Sequence, residues 1–88
     1  MDFKTIYVVY FLEKENDVVI EHGVHERVFY TKEEAQRVMD EMADGKLNEL
    51  LEDYTDEDAY IVRYSHGEMC VVISPIGTYE YSIAICND

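Results

Sequence analysis

The stretch 30-YTKEEAQRVMDEM-42 decides how the rest of the chain is read, because it carries the clearest local signal in the sequence. Thr31 is a good N-cap, and Glu34 follows three residues later, the spacing of a capping box. Tyr30 stands where a hydrophobic staple with Ala35 would form. Ala35, Val38, Met39 and Met42 recur at helical spacing, and Glu33 and Glu34 lie where the helix dipole favours negative charge. The apolar stripe breaks at Gly45, after which Leu47, Leu50, Leu51 and Tyr54 follow their own helical spacing. These positions predict a helix over 32–43, a cap or kink at Gly45, and a shorter helix at about 46–54.

On either side the pattern turns to strands. Residues 3–12, FKTIYVVYFL, are β-branched, aromatic and almost continuously apolar, which predicts a strand buried on both faces. EKEND follows as a polar turn. Residues 18–30 form a second strand, with a bulge or bend expected at Gly23. Beyond the helical region, 58–65, 68–74 and 79–87 read as three more strands. His66-Gly67 is a two-residue turn signal, and 75-PIGT-78 places Pro and Gly between the last two strands. Tyr79, Tyr81, Ile83 and Ile85 share one face of the last strand; Met69, Val71 and Ile73 share one face of the strand before it. If PIGT closes that hairpin, Ser74 faces Tyr79 and Cys70 faces Ile83, so Cys70 and Cys86 are not cross-strand partners. The order is ββ-α(α)-βββ, a single α+β domain over residues 1–88. A mostly antiparallel sheet of four or five strands would carry the helical segment on one face.

Composition narrows the function. The chain has 88 residues, with 20 acids against 7 Lys and Arg, a formal charge of −13. Apolar residues make up 48 %, too many for a disordered chain. A surface this negative repels nucleic acid and anionic membranes, because phosphate is held by Lys and Arg, so its natural partners are basic surfaces or cations. There is no apolar run of about 18 residues to span a membrane, and the N-terminus lacks a signal-peptide pattern. A cytoplasmic location with reduced Cys70 and Cys86 is the expectation.

Enzyme chemistry finds little support. His66 and Cys70 share a parity four residues apart, but no oxyanion loop, P-loop or dinucleotide fingerprint accompanies them. His22 and His25 face one way only if a bulge intervenes, and the zinc patterns need more Cys and His. The acids of the 40–58 run do not follow the spacing of a calcium loop. No catalytic residue, metal or cofactor is therefore assigned.

What remains is charge and tyrosine. In 40-DEMADGKLNELLEDYTDED-58, nine of nineteen residues are acids and Lys46 is the only base, a net −8. Ordinary surface helices mix signs, since like charges repel. Either a basic partner compensates this field or the fold tolerates it. Eight Tyr and no Trp suit β-sheet packing, and also an interface. Tyr beside carboxylates suits an Arg-rich partner.

A short acidic chain of ββα layout, with a helix that starts YTKEEA and an acid-rich helical tail, resembles small phage-encoded inhibitors of the anti-CRISPR and anti-restriction, DNA-mimic type. The resemblance is one of size, charge and layout over most of the chain. It implies inhibition of a nucleic-acid-handling host protein by occupation of its basic groove. The expected contacts are Asp40, Glu41, Asp44, Glu49, Glu52, Asp53, Asp56, Glu57 and Asp58, with Tyr54 as an anchor near their centre. The alternative is a structural or interaction domain, homodimeric through a sheet edge or a Tyr-bearing face.

Overall fold

The computed structural model describes residues 5–64 and 67–87, and it is a five-stranded antiparallel sheet with one helix packed on one face. The elements are β1 (Thr5–Glu15), β2 (Val18–Phe29), α1 (Lys32–Leu50), β3 (Tyr60–Tyr64), β4 (Met69–Ile73) and β5 (Gly77–Asn87). In space the strands run β2-β1-β5-β4-β3, so β5 is central and β2 and β3 are the edges. This is the expected α+β, ββ-α-βββ fold.

The helix differs from its prediction. It is continuous from Lys32 to Leu50, with no break at Gly45. Ala35, Val38, Met39, Ala43 and Leu50 are buried on one side, joined by half-buried Met42, Lys46 and Leu47. Ala43 links the two apolar stripes that the sequence seemed to separate, four residues before Leu47 and seven before Leu50. Gly45 is exposed, with nothing within 4 Å of where a Cβ would stand. Residues 51–54 are turns rather than helix, closed by the Leu51 amide on the Leu47 carbonyl and the Tyr54 amide on the Leu50 carbonyl.

The start of the helix keeps half of its expected cap. Thr31 is extended, and its hydroxyl accepts from the Glu34 amide at 3.2 Å. The Glu34 carboxylate turns instead to Arg27, at 3.6 Å. Tyr30 does not serve as the staple: it stays 66 % exposed, while Phe29 enters the core at 1 %.

Two tight turns set the sheet. Asn16 and Asp17 both have positive φ, 53° and 64°, the pattern of a two-residue type I′ hairpin. β1 therefore continues through Glu15 instead of ending in a polar turn. Gly23 is not a bulge. It pairs with Phe11, whose ring would stand 3.1 Å from a Cβ there. The register shifts instead between Glu13 and Lys14 and between Val8 and Tyr10, opposite Ile20 and residues 25–27 of β2. In the last hairpin Ser74 exchanges backbone hydrogen bonds with Gly77, which leaves Pro75 and Ile76 as the loop. Val72 thus faces Tyr79, and Cys70 faces Tyr81, not Ile83. The slip is two residues, so every side chain keeps the face that its parity assigned. His66 and Ser65, of the β3–β4 turn, lie outside the described residues, as do residues 3 and 4 of the first predicted strand.

The core lies between sheet and helix. Val9, Cys70, Val72, Tyr79, Tyr81 and Ile83 point at α1 and are nearly or fully buried. The opposite face carries no second layer among the described residues. On it β1 presents Val8, Tyr10 and Leu12, and β1 is accordingly half-buried along most of its length, not enclosed on both faces.

Candidate acidic interface

The acidic residues occupy the helix layer. Asp44, Glu49, Glu52 and Asp53 are exposed along the outer side of α1 and the turn after it, and Glu41 lies beside them. Asp56, Glu57 and Asp58 continue the surface in the loop that leads to β3. That loop has its own local order: the Thr55 hydroxyl donates to Asp58 at 3.2 Å, and the Thr55 carbonyl accepts from the amides of Asp58 and Ala59. Buried Ala59 pins its far end.

The bases are spent at the margins. Asp40 is held by Arg63 at 3.4 Å, Glu41 by Arg37 at 3.2 Å, and Glu49 by Lys46 at 3.1 Å. Lys32 pairs with Glu68 at 2.9 Å. Among the described residues Asp44, Glu52, Asp53, Asp56 and Glu57 have no salt-bridge partner. Tyr54 stands at their centre, but it is half-buried and packs against the core, so it offers part of its ring rather than a free side chain.

Beside this surface a groove of about 360 Å³ opens between α1 and the β1–β2 hairpin. Glu13, Glu21, Glu41 and Glu49 line it with Lys46, and Phe11, Met42 and Tyr81 supply its apolar wall. Four carboxylates against one ammonium leave the groove negative. Glu13 is the buried one, at 8 % exposure. Lys46 reaches it at 3.5 Å and stands 4.9 Å from the centre of the Tyr79 ring. Burial opposes the Lys46 charge, but Glu49 and Glu13 outweigh that cost and hold its pKa above the ordinary value. The Tyr81 phenol is pushed well upward, first by burial and then by the negative field of Glu13. Tyr79 shifts the same way through burial and through the hydrogen bond that it donates to Glu15 at 3.1 Å.

Of the groove residues, the sequence places only Glu41 and Glu49 among the expected contacts. Glu13 was assigned to a polar turn; the odd parity of Tyr7, Val9 and Phe11 extends to it once Asn16-Asp17 is read as a type I′ turn. Glu21 reaches the same face by ordinary strand alternation, two residues before Gly23, because β1 pairs Phe11 with Gly23 and Glu13 with Glu21.

Cys70 is fully buried, and its thiol is pushed up to about 11, mainly by burial, with Asp40 and Asp44 adding to the shift and Arg63 opposing it. A thiol of that kind is neutral at physiological pH and a poor nucleophile. Cys86 is exposed, and both cysteines are free. His25 accepts from the Arg27 amide at 3.1 Å and lies 5.5 Å from the Phe29 ring, a local structural role. Among the described residues no three His, Cys, Asp or Glu side chains gather closely enough to hold a metal ion. Among the described residues no helix is long and apolar enough to cross a membrane. Comparison with known protein families, with curated proteins and with solved structures finds no match to this chain.

Proposed function

We propose that the chain is a non-enzymatic binding protein whose acidic helix layer docks on a basic surface of a protein partner. The observation that carries this reading is the unpaired row Asp44, Glu52, Asp53, Asp56 and Glu57, which runs beside a negative, aromatic-walled groove. From Asp40 to Asp53 the end of α1 and the turn after it bear six acids, and Asp44, Glu52 and Asp53 keep their charge once Arg63, Arg37 and Lys46 have paired Asp40, Glu41 and Glu49. One DNA strand carries a phosphate about every 3.4 Å. A basic groove that holds nucleic acid would meet charge of the same sign on this surface, at a lower linear density. Arg side chains of such a groove pair with carboxylates and stack on rings, and Glu21 and half-buried Phe11 offer both. The action is occlusion: a nucleic-acid-handling host protein loses access to its substrate while the chain is bound.

Association of this kind is fast and sensitive to salt. The test is capture of host proteins on the immobilised chain at about 50 mM salt, followed by elution at 0.5 M. The partner should bind, elute with salt, and lose its hold on labelled nucleic acid when the chain is added. A Glu49→Lys, Glu52→Lys, Asp53→Lys, Asp56→Lys variant should capture none of it. Capture by that variant with unchanged affinity and salt dependence refutes the electrostatic account.

A further inference from the structure

We infer that the uncovered face of the sheet is a homodimer interface, with two copies packed sheet to sheet and their acidic helices turned outward. The register lines up this face row by row. One row crosses Tyr64, Met69, Ser82, Tyr10 and Val24, and the next crosses Val62, Val71, Glu80, Leu12 and His22. Tyr10, Tyr60 and Tyr64 are 45–47 % exposed, and Val24 and Val28 are 60 % and 42 % exposed. A face this apolar belongs against another layer, since one-sided sheets keep polar side chains on the wet side.

Size and charge select the second layer. The five strands hold 44 residues, which at about 3.3 Å rise and 4.8 Å spacing tile roughly 700 Å². A stable interface takes about 800 Å² from each partner, so the face is of dimer size. Across β1, β4 and β5 it carries one acid, Glu80, and one base, Lys14, on a chain of net −13. A basic partner finds its complement on the helix layer, not here. A second copy finds a near-neutral surface, as a self-complementary twofold contact requires. A hollow of about 520 Å³, lined by Tyr64, Met69, Val71, Ile73, Thr78 and Glu80, receives side chains of the facing sheet. Two sheets pack about 10 Å apart and each helix adds about 10 Å outside its sheet, so the acidic surfaces stand roughly 30 Å apart. That is several Debye lengths at physiological salt, and their repulsion is screened.

Sedimentation equilibrium on the full chain at 1–100 µM tests this. The expected mass is twice 10.3 kDa, unchanged in 1 M salt. A Tyr10→Lys, Tyr64→Lys variant should sediment as a monomer with an unaltered circular dichroism spectrum. The Glu49, Glu52, Asp53 and Asp56 reversal should remain dimeric, which separates this interface from the acidic one. A wild-type monomer at 100 µM, or a dimer that survives both Tyr replacements, overturns the inference. If the double variant fails to fold, nitration of the wild type decides: Tyr60 and Tyr64 should be protected at high concentration and modified on dilution, and equal modification at both overturns it.

Discussion

Replacing Gly45 by Ala distinguishes the continuous helix from the broken one. Were Gly45 a left-handed cap between two helices, a Cβ there would cost about 1–2 kcal/mol. In the observed helix the sign reverses. Gly45 lies five residues from the C-terminal end, its Cβ site is open, and its φ is not among the positive ones. Ala then gains the full difference in helix propensity, about 0.8–1 kcal/mol, by removing backbone freedom from the unfolded chain. For a chain of 88 residues, at about 2.1 cal/mol/K per residue, that gain raises Tm by about 5 °C. Thermal unfolding followed by circular dichroism at 222 nm, with both proteins at one fixed concentration, reads it directly. The concentration is fixed because dimerisation would raise Tm on its own. A lowered Tm for Gly45→Ala would refute the continuous helix.

Three further outcomes follow from the packing. Lys46→Met leaves Glu13 buried without its cation and should destabilise by about 2–3 kcal/mol in urea titrations, with part of the loss recovered by adding Glu13→Gln. Gly77 has no room for a side chain, because a Cβ would collide with the Lys14 carbonyl oxygen, so Gly77→Ala should cost about 2–4 kcal/mol in the same titration. Alkali should destabilise the fold. The Cys70 thiol ionises near its ordinary 9.0 when unfolded and near 11 when folded. Above pH 9 the unfolded state releases the proton first, so stability present at pH 8 declines by up to about 2–3 kcal/mol as pH approaches 11. Tyr79 and Tyr81 act in the same direction. Cys70→Val should flatten that decline, and equal urea midpoints at pH 8 and pH 10.5 in the wild type would contradict it.

The fold was legible where local chemistry and long-range packing agree. Thr31 marks the helix start because a cap is a contact between near neighbours. Strand parity survives even the two-residue error in the last hairpin, because side-chain alternation has a period of two. The two glycine errors share one cause: a local punctuation signal is overruled by packing. Gly45 looks like a stop, but Leu47 and Leu50 have the sheet to bury against, which outweighs the cost of one glycine. Gly23 looks like a bulge, but Phe11 covers it. The acids of the candidate interface could be named from sequence because exposure leaves them where the helix pattern puts them. The groove could not, since Glu13 and Glu21 meet α1 only after pairing of β1 with β2 brings them there.

The placement of charge bears on why the chain is so acidic. If the excess served solubility alone, it would be spread over whatever surface is wet. Instead the middle strands of the open face hold one acid and one base, while the 40–58 run keeps a net −8. The bases relieve only the first part of that run. Arg63, Arg37 and Lys46 neutralise Asp40, Glu41 and Glu49 near the sheet and the groove, and the distal acids from Glu52 to Glu57 keep none. Self-repulsion among them is a standing cost to the folded state. A basic surface laid on the helix layer removes that cost, and an apolar surface laid on the sheet removes the other one, the exposed Tyr and Val. The two faces thus ask for different partners, and neither can serve the other's.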